Sequence, residues 1–177
     1  MILNRILLPN DAKTFLQTLR KYEYVINTAH GLYGEVKKIW WQSKYNRIAK
    51  KRNIDAFPNT LGPGICLNHG NVVISSLARI GRNCMIQAYV TVGITNGIYS
   101  APQIGDFVFI GTGAKIIGDI RIADGVCIGA NSVVTKSILE PNITVAGSPA
   151  RKISDQGTEK QIGMIVKVVE GNSIGAV

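Results

Sequence analysis

The chain has 177 residues, 46% hydrophobic and 18% charged, which predicts one folded domain with a modest appendage and excludes disorder as the default state. It contains no run of 18 apolar residues, which excludes a membrane-spanning helix, and the apolar stretch before Pro9 is too short for a secretory signal, so a cytoplasmic protein is expected. Cys66, Cys84 and Cys127 form no CxxC pair, only two histidines are present and HExxH is absent, so no disulfide framework and no metal site is expected.

The net charge of +9 is concentrated at one end. Residues 1–53 carry 11 Lys/Arg against 3 Asp/Glu, whereas residues 54–177 carry 9 against 8. Residues 1–53 are therefore read as a basic helical segment. Asn10 or Asp11 caps a helix running to about Thr28, with Phe15, Leu19, Tyr22 and Ile26 along one face. His30-Gly31 breaks it, and His30 is read as structural. A second helix follows from about Leu32 to Lys51, with Val36, Ile39, Trp40 and Ile48 as its expected packing residues and seven Lys/Arg from Lys37 to Arg52. Its basic side is read as a solvated face, as a peripheral contact with the inner membrane surface beside Trp40-Trp41, or as a nucleic-acid surface. No nucleic-acid motif accompanies the charge, so no nucleic-acid partner is expected.

From about residue 61 the sequence repeats every six residues. Aliphatic side chains fall at Ile74, Ile80, Ile86 and Val92, then resume at Ile104, Ile110, Ile116, Ile122, Ile128 and Val134. Four residues after them come small side chains, among them Ala78, Cys84, Val90, Val108, Ala114, Val126 and Ser132. An earlier register at Leu61 and Leu67 slips by one residue before Ile74. This period is that of a parallel β-helix, in which three hexapeptides make one triangular coil. Residues 54–153 are read as this domain, with about four coils between 61 and 139, and residues 154–177 as a tail. The fold class is thus mainly β with a short N-terminal α-helical segment. The basic helices are placed to cap one open end of the prism, and the strand-like GMIVKVVEG of the tail to cover the other or pair with a neighbour.

Four stretches, LNHGNVVIS, IGDFVFIGTGAKIIGDIRI, IGANSVVTKSI and TVAGSPARKI, resemble the hexapeptide-repeat acyltransferases, most nearly their serine acetyltransferase branch. The resemblance implies a left-handed helix, acetyl-CoA as co-substrate, and a homotrimer, alone or paired into a hexamer, with the active site between neighbouring prisms. It implies that His69 is the general base, in a turn reading Asn68-His69-Gly70 where the family has aspartate-histidine-glycine. An imidazole suits proton abstraction from a hydroxyl near neutral pH. By motif, the cofactor groove falls at Thr112, Gly113, Ala130, Thr135 and Lys136, and Arg151 and Lys152 meet the cofactor's phosphates.

The interruption between Val92 and Ile104 is read as an acceptor loop, with Asn96, Tyr99 and Ser100 as contacts. Where the serine enzymes carry Arg-His-Pro, this chain reads Ser100-Ala101-Pro102. On that departure the expected acceptor is a hydroxyl of a sugar or polysaccharide precursor. L-serine and a non-catalytic scaffold are the alternatives. The carbonic-anhydrase branch of the fold needs three histidines and is set aside.

Overall fold

In the computed structural model the structure describes residues 10–95 and 99–158. The N-terminal segment is a helix hairpin, α1 (Asn10–Thr28) and α2 (Gly31–Arg52). Phe15 and Leu19 of α1 are fully buried, and the Phe15 and Tyr22 rings pack 5.7 and 5.6 Å from the Tyr45 ring of α2. His30 is the exposed N-cap of α2 and makes no side-chain capping bond.

The inward face of α2 differs from the expected one. Gly34, Tyr45 and Ala49 are buried, with Ile48 partly so, whereas Val36, Ile39 and Trp40 are exposed. The reason is steric and tertiary. A Cβ on Gly34 would lie 2.9 Å from the Ala29 carbonyl carbon, so the close approach of the hairpin's ends turns that face inward. The aromatic cluster on Tyr45 then holds the rotation.

The rest of the described chain is strand and turn: β1 (Ile54–Asp55), β2 (Cys66–Leu67), β3 (Val72–Ile74), β4 (Arg79–Ile80), β5 (Met85–Ile86), β6 (Thr91–Gly93), β7 (Gln103–Ile104), β8 (Phe109–Ile110), β9 (Lys115–Ile117), β10 (Arg121–Ile122), β11 (Cys127–Ile128), β12 (Val133–Val134), β13 (Thr144–Ala146) and β14 (Arg151–Ser154). They form three faces of a prism. The first is β1-β3-β6-β9-β12, the second β4-β7-β10, and the third β2-β5-β8-β11-β13, which β14 extends antiparallel. All other pairings are parallel. The ten aliphatic residues of the repeat are all at most 5% exposed and stack along the bore. Parallel pairing continues below residue 61 to Ile54 and above 139 to Val145.

Spacing along the stack locates two irregularities. Ile122 lies 18 residues after its partner Ile104, but Ile104 lies 24 after Ile80, so the interruption adds six residues without disturbing the rungs above it. On the third face Leu67 pairs with Ile86, 19 residues on, whereas on the first face Val73 pairs with Thr91, 18 on. One extra residue therefore lies in the turn between Leu67 and Val73.

The hairpin closes the first rung. Arg20 donates to the carbonyls of Leu61 (2.8 Å) and Gly62 and pairs with Glu23 at 2.7 Å. Glu23 in turn accepts the Asn59 N–H at 2.7 Å. After β14 the Thr158 hydroxyl donates to the Gly125 carbonyl at 3.0 Å; the remaining tail, GMIVKVVEG included, lies outside the described residues. Among the described residues no helix is long and apolar enough to cross a membrane.

Candidate active site

The extra residue sits in the turn that carries His69. This turn joins the third face to the first and is braced by the end of α2. The Arg52 carbonyl accepts the Asn71 N–H at 3.1 Å, the Asn53 carbonyl accepts the Val72 N–H at 3.1 Å, and the two asparagine side chains bond at 3.1 Å. Asn71 adopts φ 59°, the left-handed region that asparagine tolerates. His69 is exposed, and its imidazole has no hydrogen-bond partner among the described residues. Asn68 is half-buried, and its Oδ1 accepts the Cys66 thiol at 3.1 Å. Burial pushes the Cys66 thiol up to about 11, so it stays protonated and donates rather than acting as a nucleophile.

Directly above His69 on the same edge lie the turns 87–90, 111–114 and 129–132. Thr112, Gly113 and Ala130 belong to this column; the Gly113 N–H donates to Ala88 at 2.9 Å and the Asn131 N–H to Thr112 at 2.8 Å. Thr112 and Ala130 face solvent, and Gly113 has φ 75°. A Cβ on Gly111 would meet the Ala130 nitrogen at 2.6 Å, so the backbone turns are close-stacked and nearly bare of side chains.

The other expected cofactor residues stand elsewhere. Thr135 and Lys136 occupy the edge between the first and second faces. Arg151 and Lys152, on β14, join them around a groove of about 270 Å³ at the C-terminal end of the prism, with Glu140 on its wall. Lys152 differs from expectation as a phosphate ligand. Its ammonium binds Glu140 and Asp155, each at 2.6 Å, and these carboxylates hold its pKa above the usual lysine value. Lys136 has no partner among the described residues, and Arg151 donates only to the Ala150 carbonyl at 2.9 Å, so both cations remain available to phosphate oxygens. The donor set thus fits coenzyme A, with bare turn backbones for an extended chain and two free cations for phosphate.

Of the acceptor residues, Asn96 lies outside the described residues. Tyr99 is 92% exposed, and Ser100 donates to Asp119 at 2.7 Å while Ala101 is buried. Tyr99, Ser100 and Ala101 are on the edge between the first and second faces. Within one chain they are therefore separated from His69 by the width of the first face.

Tyr89 was not among the sequence candidates. It occupies the column position held by Asn71, Gly113 and Asn131, has φ 61°, and is 60% exposed. A tyrosine in the left-handed region is strained, and its carbonyl is held by the Lys115 ammonium at 2.8 Å, which also reaches the Thr91 hydroxyl at 3.1 Å. The repeat alone could have flagged it, as an aromatic at a turn position that the other coils of this column give to asparagine or glycine; Phe107, with φ 57°, is its counterpart on another edge.

Residues 101–136 match the bacterial transferase hexapeptide family (six repeats). The chain carries a hexapeptide-repeat transferase domain. Its prism is the left-handed parallel β-helix of that superfamily. Serine acetyltransferase 3, mitochondrial, from Arabidopsis thaliana is 38% identical over 136 residues, which are 75% of this chain and 34% of that protein. The crystal structure of serine acetyltransferase in complex with coenzyme A from Brucella abortus superposes with a TM-score of 0.70 at 32% identity, over 83% of this chain and 57% of that one. That of the Neisseria gonorrhoeae serine acetyltransferase in complex with serine gives 0.66 at 33%, over 81% and 57%. The chain thus spans between about a third and three-fifths of the length of these relatives.

These findings overturn the expectation of a sugar or polysaccharide acceptor, because the similar proteins are serine acetyltransferases. That expectation rested on three residues, Ser100-Ala101-Pro102, which lie in an excursion beside the rungs. A missing arginine there does not deprive the surface of positive charge, since Lys115 stands on the first face next to the His69 edge.

Proposed function

We propose that this chain transfers acetyl directly from acetyl-CoA to the hydroxyl of L-serine, with His69 as general base. The observation that carries the reading is the similarity to serine acetyltransferases over most of the chain, together with an exposed histidine in the turn where the rungs take one extra residue. The imidazole takes the proton of the serine hydroxyl as its oxygen attacks the thioester carbonyl. The tetrahedral oxyanion is met by backbone N–H groups of the turn column. It collapses with cleavage of the C–S bond, and the imidazolium returns the proton to the departing thiolate. Thr112, Gly113 and Ala130 line the pantetheine path, while Thr135, Lys136 and Arg151 serve the phosphate end; Lys152 orders that end through Glu140 and Asp155.

Lys115 supplies the cation for the serine carboxylate. Its ammonium is anchored on the Tyr89 carbonyl, one turn above His69, and a charge-assisted bond from it replaces the arginine that Ser100-Ala101-Pro102 lacks. Asn68 stands beside His69 as a neutral hydrogen-bonding group. The working assembly is a trimer. Three-fold packing sets the His69 edge of one prism against the Tyr99-Ser100 edge of the next, which joins residues that a single chain holds apart.

The test is thioester cleavage with L-serine, following free coenzyme A and O-acetylserine. A kcat/KM above ~10⁴ M⁻¹s⁻¹ is expected, in the range of true substrates. Cleavage no faster with L-serine than without it overturns the reading.

A further inference from the structure

The exposed side of α2 carries a feature that acetyl transfer does not use. Leu32, Val36, Ile39 and Trp40 follow helical spacing and are between 56% and 86% exposed, forming one apolar stripe with Tyr33 at its side. Single exposed apolar residues need no explanation, but a contiguous stripe of this size marks a contact surface. The stripe occupies the half of the helix distant from the prism. At 1.5 Å per residue, Leu32 is about 30 Å from the Arg52 end, where the chain enters β1.

The surroundings of the stripe are cationic and aromatic. From Gly31 to Arg52 the helix has seven Lys/Arg and a single acid, Glu35, which Lys38 neutralises at 2.7 Å. Lys37 lies 4.4 Å from the Tyr33 ring centroid, and Lys44 lies 5.1 and 5.0 Å from those of Trp40 and Trp41. Further along the same side the residues are Ser43, Arg47 and Lys50. A second copy of this face would bring like charges together, and a basic groove for nucleic acid would not need an aliphatic row. An anionic bilayer satisfies both parts, with headgroup phosphates for the lysines and the acyl boundary for Leu32, Val36, Ile39 and Trp40.

We infer that the α2 stripe docks the protein peripherally on an anionic lipid surface, with the helix lying in the headgroup plane. The prism and its His69 edge remain in water. The docking is independent of the acceptor, because no stripe residue belongs to the proposed catalytic or cofactor surface.

Co-sedimentation of the full chain with lipid vesicles tests this. Binding is expected to phosphatidylcholine vesicles containing about one-third phosphatidylglycerol, not to pure phosphatidylcholine, and should weaken several-fold between ~0.1 and ~0.5 M salt. The double variant Ile39→Ser/Trp40→Ser should bind at least ~10-fold more weakly, with unchanged thermal midpoint, acetyl transfer and solution mass. A second variant, Lys37→Gln/Lys44→Gln, keeps the stripe and should lose the preference for phosphatidylglycerol. Failure of the wild-type chain to sediment with anionic vesicles overturns the inference, as does undiminished binding of the first variant. A drop in the mass of that variant also overturns it, because the stripe would then be a contact between copies, and tighter binding of the wild type to a DNA or RNA duplex than to the vesicles would assign the face to nucleic acid.

Discussion

A Cβ placed on Gly70 would lie 2.1 Å from the carbonyl oxygen of Arg52. The residue after the candidate base thus touches the last turn of α2, and the same carbonyl accepts the Asn71 N–H. The helix hairpin is therefore part of the scaffold of the candidate site as well as a cover on the first rung. Gly70→Ala should push the turn off the helix end, costing about 1–3 kcal/mol of stability. A displacement of order 1 Å at His69 lowers kcat/KM by up to ~10²-fold. Thermal unfolding and steady-state kinetics on the one variant check both, and wild-type values in either would remove this role from the Arg52 contact.

His69→Ala should leave stability untouched, because the imidazole is exposed and bonds nothing among the described residues. Acetyl transfer to L-serine should fall by ~10²–10⁴-fold. Retention of more than about a tenth of wild-type kcat/KM would assign the base elsewhere.

Lys115→Gln should separate the substrates. It removes a charge-assisted bond, so KM for L-serine is expected to rise roughly 10-fold or more while KM for acetyl-CoA holds. Tyr89 loses an anchor on its strained backbone as well, so a small drop in thermal midpoint accompanies the change. Parallel rises in both KM values would argue against a role in holding the carboxylate.

The buried thiols make stability fall in alkali. Burial, outweighing the N–H donated by Val108, pushes Cys84 from the ordinary 9.0 up to about 12. A folded value above the unfolded one means the contribution is complete below pH 9 and is lost as the pH rises towards 12. Cys84→Ala should flatten this alkaline slope in denaturant titrations between pH 8 and 10.5. It should also cost about 1 kcal/mol at pH 7 through the small void it leaves. An unchanged slope would place the alkaline sensitivity on other groups.

The prism was legible because its bore selects so narrowly. Only aliphatic and small side chains fill it, so every sixth residue reports the register, and even the extra residue near His69 left a visible slip. The rotation of α2 was not legible, since both of its sides carry apolar residues. The choice fell to Gly34 against Ala29 and to Tyr45 between Phe15 and Tyr22, contacts that no periodicity encodes. Matching motifs grouped Thr112, Gly113, Ala130, Thr135 and Lys136 as one groove. The corners of the prism divide them, because Thr135 follows Ala130 by five residues and so turns the next corner. Lys152 looked like a free cation since its partner Glu140 is 12 residues away. Tyr89 escaped because tyrosine is not a turn former, although its place in the repeat was open to view.

The six added residues before β7 leave the rungs above and below in register. The core is therefore blind to the length of that corner loop, and so is the stack of backbone hydrogen bonds that passes it. This one segment can be cut, lengthened or exchanged while folding is left alone. The same property makes the loop a grafting position, where segments from other β-helix proteins can be inserted ahead of the buried Ala101 without redesigning the scaffold.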